Sequence, residues 1–400
     1  MAQRTEQEKP VKVLMVTGEF PPIQGGVGDY TARLGRALGE LGVAVEVATG
    51  PLPAGRLGEA SWEAFPVHRT VPTWGWRSWP VLARLARERA ADILHIQYQA
   101  AAYRLHPAIN LLPWWLRLSR PDLPCVVTFH DLRVPYLFPK AERVRWWAIL
   151  ALAAGCRAAI STNAEDFNRL ASYAPRVRPY RVPIGANVEP LPTQVWRPRD
   201  GTKPPREGLV VSHFGFLNES KGCQDLVEAL AWVRAVEPER TFTLRIVGGT
   251  VGESDPTNLA FRERLEQQIA RHGLTSRVAW TGFLPPEEVS DVLPDCDLCA
   301  LPYRDGASFR RGTLIDALVH GLPTVTTEPT VPVPELRHGE NVWLVPREDP
   351  KALAQAILHL ADRPDLCQRL SRGALDLGRA FRWDGIAQAT QEVYRDVLGA

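Results

Sequence analysis

The chain has 400 residues, 45% hydrophobic and 23% charged, and its 47 basic and 45 acidic residues leave a formal charge of +2. This length favours two domains, and the composition is that of a folded chain rather than a disordered or fibrous one. The balanced charge excludes the clustered basic excess that a nucleic-acid partner requires.

Residues 1–10 are polar and lack the apolar core of a signal peptide, so a cytoplasmic location is expected. The first strand is KVLMVT (12–17), followed by the loop GEFPPIQGGVGDY (18–30) and a helix with Leu34, Leu38 and Leu41 at helical spacing. AVEVA (44–48) then completes a β–loop–α–β unit, whose polar loops gather at the carboxyl ends of parallel strands. The glycines Gly25 and Gly26 let backbone N–H groups approach a phosphate or sugar, with Asp29 and Tyr30 closing the loop. The spacing of Gly25, Gly26 and Gly28 is not that of the G-x-G-x-x-G fingerprint, which weakens a dinucleotide reading.

Further strands are expected at 92–96, 125–129, 158–161 and 180–184. The second of these ends in His130-Asp131, where an imidazole at a strand's carboxyl edge is expected to face ligand rather than core. Trp114-Trp115 beside Arg117, and Trp146-Trp147 beside Arg143 and Arg145, suit either core packing with solvated arginines or a lipid interface. The apolar run from Trp146 is shorter than the ~20 residues that cross a bilayer, so any membrane contact would be peripheral.

Residues 191–208 are rich in proline and charge and read as a linker between a domain at 1–190 and a second at 209–379. Beyond the linker the alternation restarts, with strands expected at 209–214, 243–247, 278–281, 297–302, 324–327 and 342–346. The fold class is therefore α/β: two Rossmann-like, doubly wound domains facing across a cleft, with 380–400 as a helix packing back on the first.

Two loops of the second half carry the chemistry. In GFLNESKG (215–222), Gly215 follows a strand and Lys221 is one of only six lysines, placed to neutralise a departing diphosphate. In YRDGASFRRGTLIDALVHG (303–321), Gly312 or Thr313 caps a short helix, Arg310 and Arg311 offer bidentate phosphate contacts, and Asp316 is positioned for ribose hydroxyls. Cys125, Cys156, Cys223, Cys296, Cys299 and Cys367 are scattered; the C-x-x-C pair lies in an apolar run without a second pair, so it reads as core. No metal is assigned to Asp295 and Asp297 either.

Taken together, these loops, VPIGANV (182–188), TGFLPPEEV (281–289) and PELRHGENVWLVP (334–346) resemble, in order and spacing, the landmarks of family 4 glycosyltransferases of GT-B fold. The resemblance implies retaining transfer from a nucleotide diphosphate sugar without an essential metal or other cofactor, onto a glycan, lipid-linked or small-molecule acceptor. It places donor on the second domain and acceptor on the first. By that likeness Gly25 and Gly26 border the acceptor and diphosphate, His130 lies near the anomeric carbon, Lys221 acts on the leaving group, and Gly282-Phe283 approach the base. The chain departs from the family pattern at Phe216, where an arginine is usual, and at Ser308, where the first of two glutamates is usual; Asp316 stands at the second. Arg310 or Arg311 is expected to supply the missing cation. A non-catalytic nucleotide- or glycan-binding protein of the same fold, and an NAD-dependent oxidoreductase, are the alternative readings.

Overall fold

The structure, a computed structural model, describes residues 10–23, 25–52, 64–130, 132, 142–174, 177–198, 208–215, 217–248 and 256–399, without the side chains of 142–145 and 256–259. The chain divides into two compact units: one runs to Ile184 and takes in the segment from Trp383 onward, the other is Gly185–Arg382.

The first unit holds β1 (Lys12–Thr17), α1 (Gly26–Glu40), β2 (Ala44–Ala48), β3 (Val67–His68), α2 (Ser78–Glu88), β4 (Ile93–Tyr98), α3 (Ala108–Ser119), β5 (Cys125–Phe129), α4 (Glu142–Gly155), β6 (Ala158–Ser161), α5 (Ala164–Tyr173) and β7 (Arg178–Arg181). The strands form one sheet in the order β3-β2-β1-β4-β5-β6-β7, and every pair in it is parallel. Parallel strands covered on both faces read as continuous apolar runs rather than alternating ones. CVVTF of β5 is such a run and is buried throughout. One face packs beneath α2 to α4, with Leu82, Leu112 and Leu152 fully buried. The other packs beneath α1 and the last helix of the chain, with Leu34, Leu38 and Tyr394 fully buried.

The second unit holds β8 (Leu209–Phe214), α6 (Cys223–Val236), β9 (Phe242–Val247), α7 (Pro256–Arg271), β10 (Val278–Gly282), α8 (Pro286–Val292), β11 (Leu298–Leu301), α9 (Gly312–Val319), β12 (Thr324–Thr327), β13 (Trp343–Val345), α10 (Pro350–Ala361) and α11 (Pro364–Gly378); α12 (Trp383–Leu398) returns to the first unit. Its sheet runs β10-β9-β8-β11-β12-β13, again with parallel pairing. In both sheets the strand order reverses beside the unit's first strand: between β1 and β4, and between β8 and β11. A doubly wound sheet opens a crevice at that switch point, outside the carboxyl ends of the strands. The segments that follow β1, β8 and β11 leave their strands at those points.

Two details differ from the sequence expectation, while the cysteines agree with it. The segment read as a linker does not hang free: Trp196 donates from its backbone to His320 O at 2.7 Å and from its indole to Cys296 O at 3.0 Å, which fixes it to the second unit. Residues 199–207 lie outside the described residues. β7 is RPYR rather than YRVPI, and its end residues are exposed because it is the edge of its sheet. All six cysteines are buried and free.

Candidate active site

At the switch point of the second unit, Gly215 follows β8 with φ +115, a conformation that favours glycine. A Cβ there would stand 2.6 Å from Thr313 Cγ2 and 2.9 Å from Lys221 Nζ. Two of the expected loops therefore meet on the same glycine. Lys221 ends a short turn capped by Asn218, whose Oδ1 accepts from the Lys221 backbone N–H at 3.2 Å. Gly222 follows with φ +71, and a Cβ on it would lie 1.9 Å from Pro302 O, so that turn needs a glycine to sit against the β11 loop.

Lys221 Nζ donates to Thr313 Oγ1 at 3.3 Å, and Thr313 Oγ1 pairs with the hydroxyl of the fully buried Tyr303 at 2.7 Å. The Arg311 guanidinium lies 5.1 Å over the Tyr303 ring, reaches Ser220 Oγ at 3.5 Å and forms an ion pair with Asp305. Burial, reinforced by the nearby Arg311 cation, lowers the Lys221 pKa to about 8, against the opposing pull of Asp316 and Asp305. A half-buried ammonium beside a guanidinium at the start of a helix is a surrounding that favours an anion. Gly312 and Thr313 open α9, and its N-cap, Arg311, makes no side-chain cap.

The other residues expected here divide. Ser308 and Arg310 are half-buried on the same turn. Gly282, φ +70, ends β10, and Phe283 beyond it is 73% exposed, an aromatic face presented to solvent. Asp316 is a correction: only 1% exposed, it accepts at Oδ1 from the backbone N–H groups of Asn187 (2.8 Å) and Val188 (3.1 Å). That carboxyl oxygen ties the 187–188 backbone to α9 and is therefore already occupied within the fold, where the sequence places the residue for ribose hydroxyls. Phe216 lies outside the described residues. Tyr303 was missed by the sequence reading, since nothing in its neighbourhood distinguishes it from a core tyrosine.

In the first unit His130 follows β5. Its backbone N–H donates to Tyr98 O at 3.1 Å, its ring meets Tyr30 edge-on at 4.6 Å, and its Nε2 stands 3.0 Å from Gln97 Oε1. An amide oxygen only accepts, so His130 carries its proton on Nε2. Gln97 is fully buried in β4 beside His95, whose two ring nitrogens reach Tyr394 OH (2.6 Å) and Thr128 Oγ1 (2.8 Å). Burial lowers the pKa of His130 and of His95 to about 3, so both rings are neutral.

The glycine loop of this unit also requires a correction. Gly25 precedes α1, and a Cβ on it would come 2.2 Å from the Glu19 carboxyl, whose Oε1 accepts from Val27 N–H at 3.1 Å. The start of α1 is thus already capped by a carboxylate, and its charge opposes a phosphate at Gly25 and Gly26. Asp29 is exposed in the first turn of α1, whereas Tyr30 is buried against His130 and Trp383. An acidic residue in the loop ahead of a helix that starts on glycines, with no Ser, Thr, Asn or Asp at the N-cap, was the available signal.

Residues 24–189 match the family described as Glycosyltransferase Family 4, and residues 208–363 match Glycosyl transferases group 1. The chain is 24% identical over 431 aligned residues to the D-inositol 3-phosphate glycosyltransferase of Streptomyces scabiei, covering 96% of this chain and 91% of that protein. To the same enzyme of Acidothermus cellulolyticus it is 30% identical over 214 residues, 52% of this chain and about half (46%) of that relative's length. Among solved structures it resembles sucrose-phosphate synthase from Thermosynechococcus elongatus (TM-score 0.73, 19% identity, 97% of this chain and 99% of that one). It also resembles Anabaena HepE in complex with UDP (TM-score 0.71, 19% identity, 97% and 100%). With two family matches that together span both Rossmann-like units, and solved structures aligned over nearly the whole chain, this protein belongs to the family 4 glycosyltransferases of GT-B fold.

Proposed function

We propose that the chain transfers a glycosyl group from a nucleotide diphosphate sugar to an acceptor hydroxyl with retention of configuration, and without a metal ion or other cofactor. The observation that carries this is the convergence of Gly215, Lys221 and Thr313, with Arg311 alongside, at the switch point of the second unit. The diphosphate lies against this cluster, and the exposed ring of Phe283 supports the base. The relative HepE has been solved with UDP and with UDP-glucose, which favours a uridine donor here.

In the transfer the acceptor oxygen bonds to the anomeric carbon as the carbon–oxygen bond to the diphosphate breaks. The electron pair of that bond goes to the phosphate oxygen, and the acceptor proton follows onto the departing phosphate from the same face. Negative charge grows on the diphosphate, and the Lys221 ammonium, held in a partly dry site, stabilises it more strongly there than in the bound donor. His130, neutral and fixed with its proton on Nε2, is assigned to the acceptor side, where it orients the attacking hydroxyl rather than carrying charge. Ser308, half-buried on the turn before α9, contacts the donor sugar through its hydroxyl.

Incubation with a panel of UDP- and GDP-sugars, read by mass spectrometry for released nucleotide with chelator present, tests the reading. One donor is expected to be turned over, with Lys221→Ala lowering turnover about 10²–10³-fold. A folded Lys221→Ala that turns donor over at the wild-type rate removes the proposed role of that residue, and wild-type protein inert to every donor favours a non-catalytic binding protein.

A further inference from the structure

Three consecutive helices of the first unit, α3, α4 and α5, present aromatic and aliphatic side chains to solvent. On α3, Ile109, Leu112 and Leu116 face the core, while Leu111, Trp114 and Leu118 are 39%, 43% and 87% exposed. Positions 111, 114 and 118 lie on one side of a helix, so this is a second, outward apolar stripe, and no acidic residue occurs in 108–119. The stripe continues onto α4: the Trp114 indole donates to Ala151 O at 2.7 Å, and Trp147, one turn earlier on α4, is 73% exposed. From there it passes to α5, where Tyr173, 62% exposed, meets Trp146 edge-on at 5.5 Å. A folded monomer seldom leaves so many large apolar side chains together in water unless something covers them.

The charges in contact with this face indicate what covers it. Arg117 lies 5.0 Å over the Trp114 ring and Arg169 lies 4.2 Å over the Trp146 ring, so each border of the stripe carries a guanidinium stacked on an indole. On the flanking segments, Asp122 pairs with Arg120 at 2.8 Å and Asp166 is bound by the Asn163 side chain at 2.7 Å, so neither carboxylate is turned to these two guanidinium groups. Amphipathic indoles flanked by stacked cations suit the boundary between anionic headgroups and acyl chains. A second copy meeting this face symmetrically would instead bring arginine towards arginine. Among the described residues no helix is long and apolar enough to cross a membrane.

We propose that the outward face of α3, α4 and α5 docks on the surface of an anionic lipid bilayer, with Leu118, Trp114 and Trp147 entering the headgroup layer and Arg117 and Arg169 pairing with lipid phosphates. The docking itself owes nothing to the donor chemistry. That it delivers a lipid-linked acceptor to the first unit rests on the transfer reading.

Sedimentation of the full chain with vesicles of phosphatidylcholine, alone and mixed with phosphatidylglycerol, tests it. The wild type is expected to sediment with the mixed vesicles and to be released by high salt. L118S/W147S changes only side chains that are more than two-thirds exposed, so it should keep the wild-type melting temperature while partitioning at least about tenfold more weakly. R117Q/R169Q should lose the preference for the anionic vesicles. The proposal is overturned if the wild type binds neither vesicle, if L118S/W147S sediments like the wild type, or if light scattering shows a dimer that the same variant dissolves. Donor turnover in solution, measured on the same variants, separates the two readings: a folded variant that turns over donor but no longer sediments leaves the transfer reading intact and supports docking alone.

Discussion

Each unit places a glycine-opened helix at the switch point of its parallel sheet, α1 after the first strand and α9 after the fourth, yet the helix starts differ in sign. At α9 the turn before the helix brings a lysine and an arginine together, and Gly215 keeps the space beside them clear. At α1 the space beside the helix start is filled by Glu19, held to the backbone of the first turn. Glycine at a helix start therefore reports room and close approach; which ion uses the room is decided by the residues of the preceding loop. On the proposed reading one helix end receives an anion, whereas the other already holds a carboxylate against its first turn.

The largest expected effect, on turnover, separates these two ends. Lys221→Ala should remove about two to three orders of magnitude, whereas Glu19→Gln, read in the same donor assay, should leave turnover within the same order. Comparable losses in both variants would break the comparison. Next comes the carboxylate that the structure reassigns: Asp316→Ala strips the acceptor from two backbone N–H groups and should cost about 2–3 kcal/mol. Differential scanning calorimetry should show the melting temperature of the second unit falling by several degrees, with Asp316→Asn recovering part of it because an amide oxygen still accepts. An unchanged melting temperature in Asp316→Ala would return that residue to the donor.

A third prediction sharpens the contrast between neutral and charged groups. His95 and His130 are neutral in the fold with pKa values near 3, against about 6.5 when unfolded, so the unfolded chain binds more protons between those limits. The stability they confer is complete above about pH 6.5 and is lost as pH falls toward 3, by about 1.4 kcal/mol per pH unit for each ring. Urea titrations from pH 7 to pH 4 should show that slope, reduced in a His95→Gln variant. The smallest effect is the loss of the cap charge: Glu19→Gln should lower stability by about 0.3–1 kcal/mol, measured by the same titrations.

Much of the architecture was legible in the sequence because parallel strands buried on both faces leave unbroken β-branched runs, as in KVLMVT and LVVSHF. β3 was not, since Val67-His68 is a two-residue edge strand and carries no pattern at all. In the second unit, Lys221 and Thr313 stand out by their place between strand and helix, a local property, and the fold brings the two side chains within 3.3 Å. What escaped was orientation. Asp316 points back to the 187–188 backbone, and Glu19 folds over Gly25, and each depends on contacts that sequence spacing does not encode. The tryptophan pairs show the same limit: Trp115 and Trp146 pack against the core while their neighbours Trp114 and Trp147 face water, so core and surface each claim one member of each pair.

The depressed basicity of Lys221 has a thermodynamic consequence for ligand capture. With its pKa lowered to about 8, the amine is partly uncharged in mildly alkaline solution, and on the proposed reading a diphosphate settling beside it raises its proton affinity again. Association must then draw hydrogen ions from the medium, so the heat released on mixing UDP with the protein above pH 8 will vary with the ionisation enthalpy of the buffer.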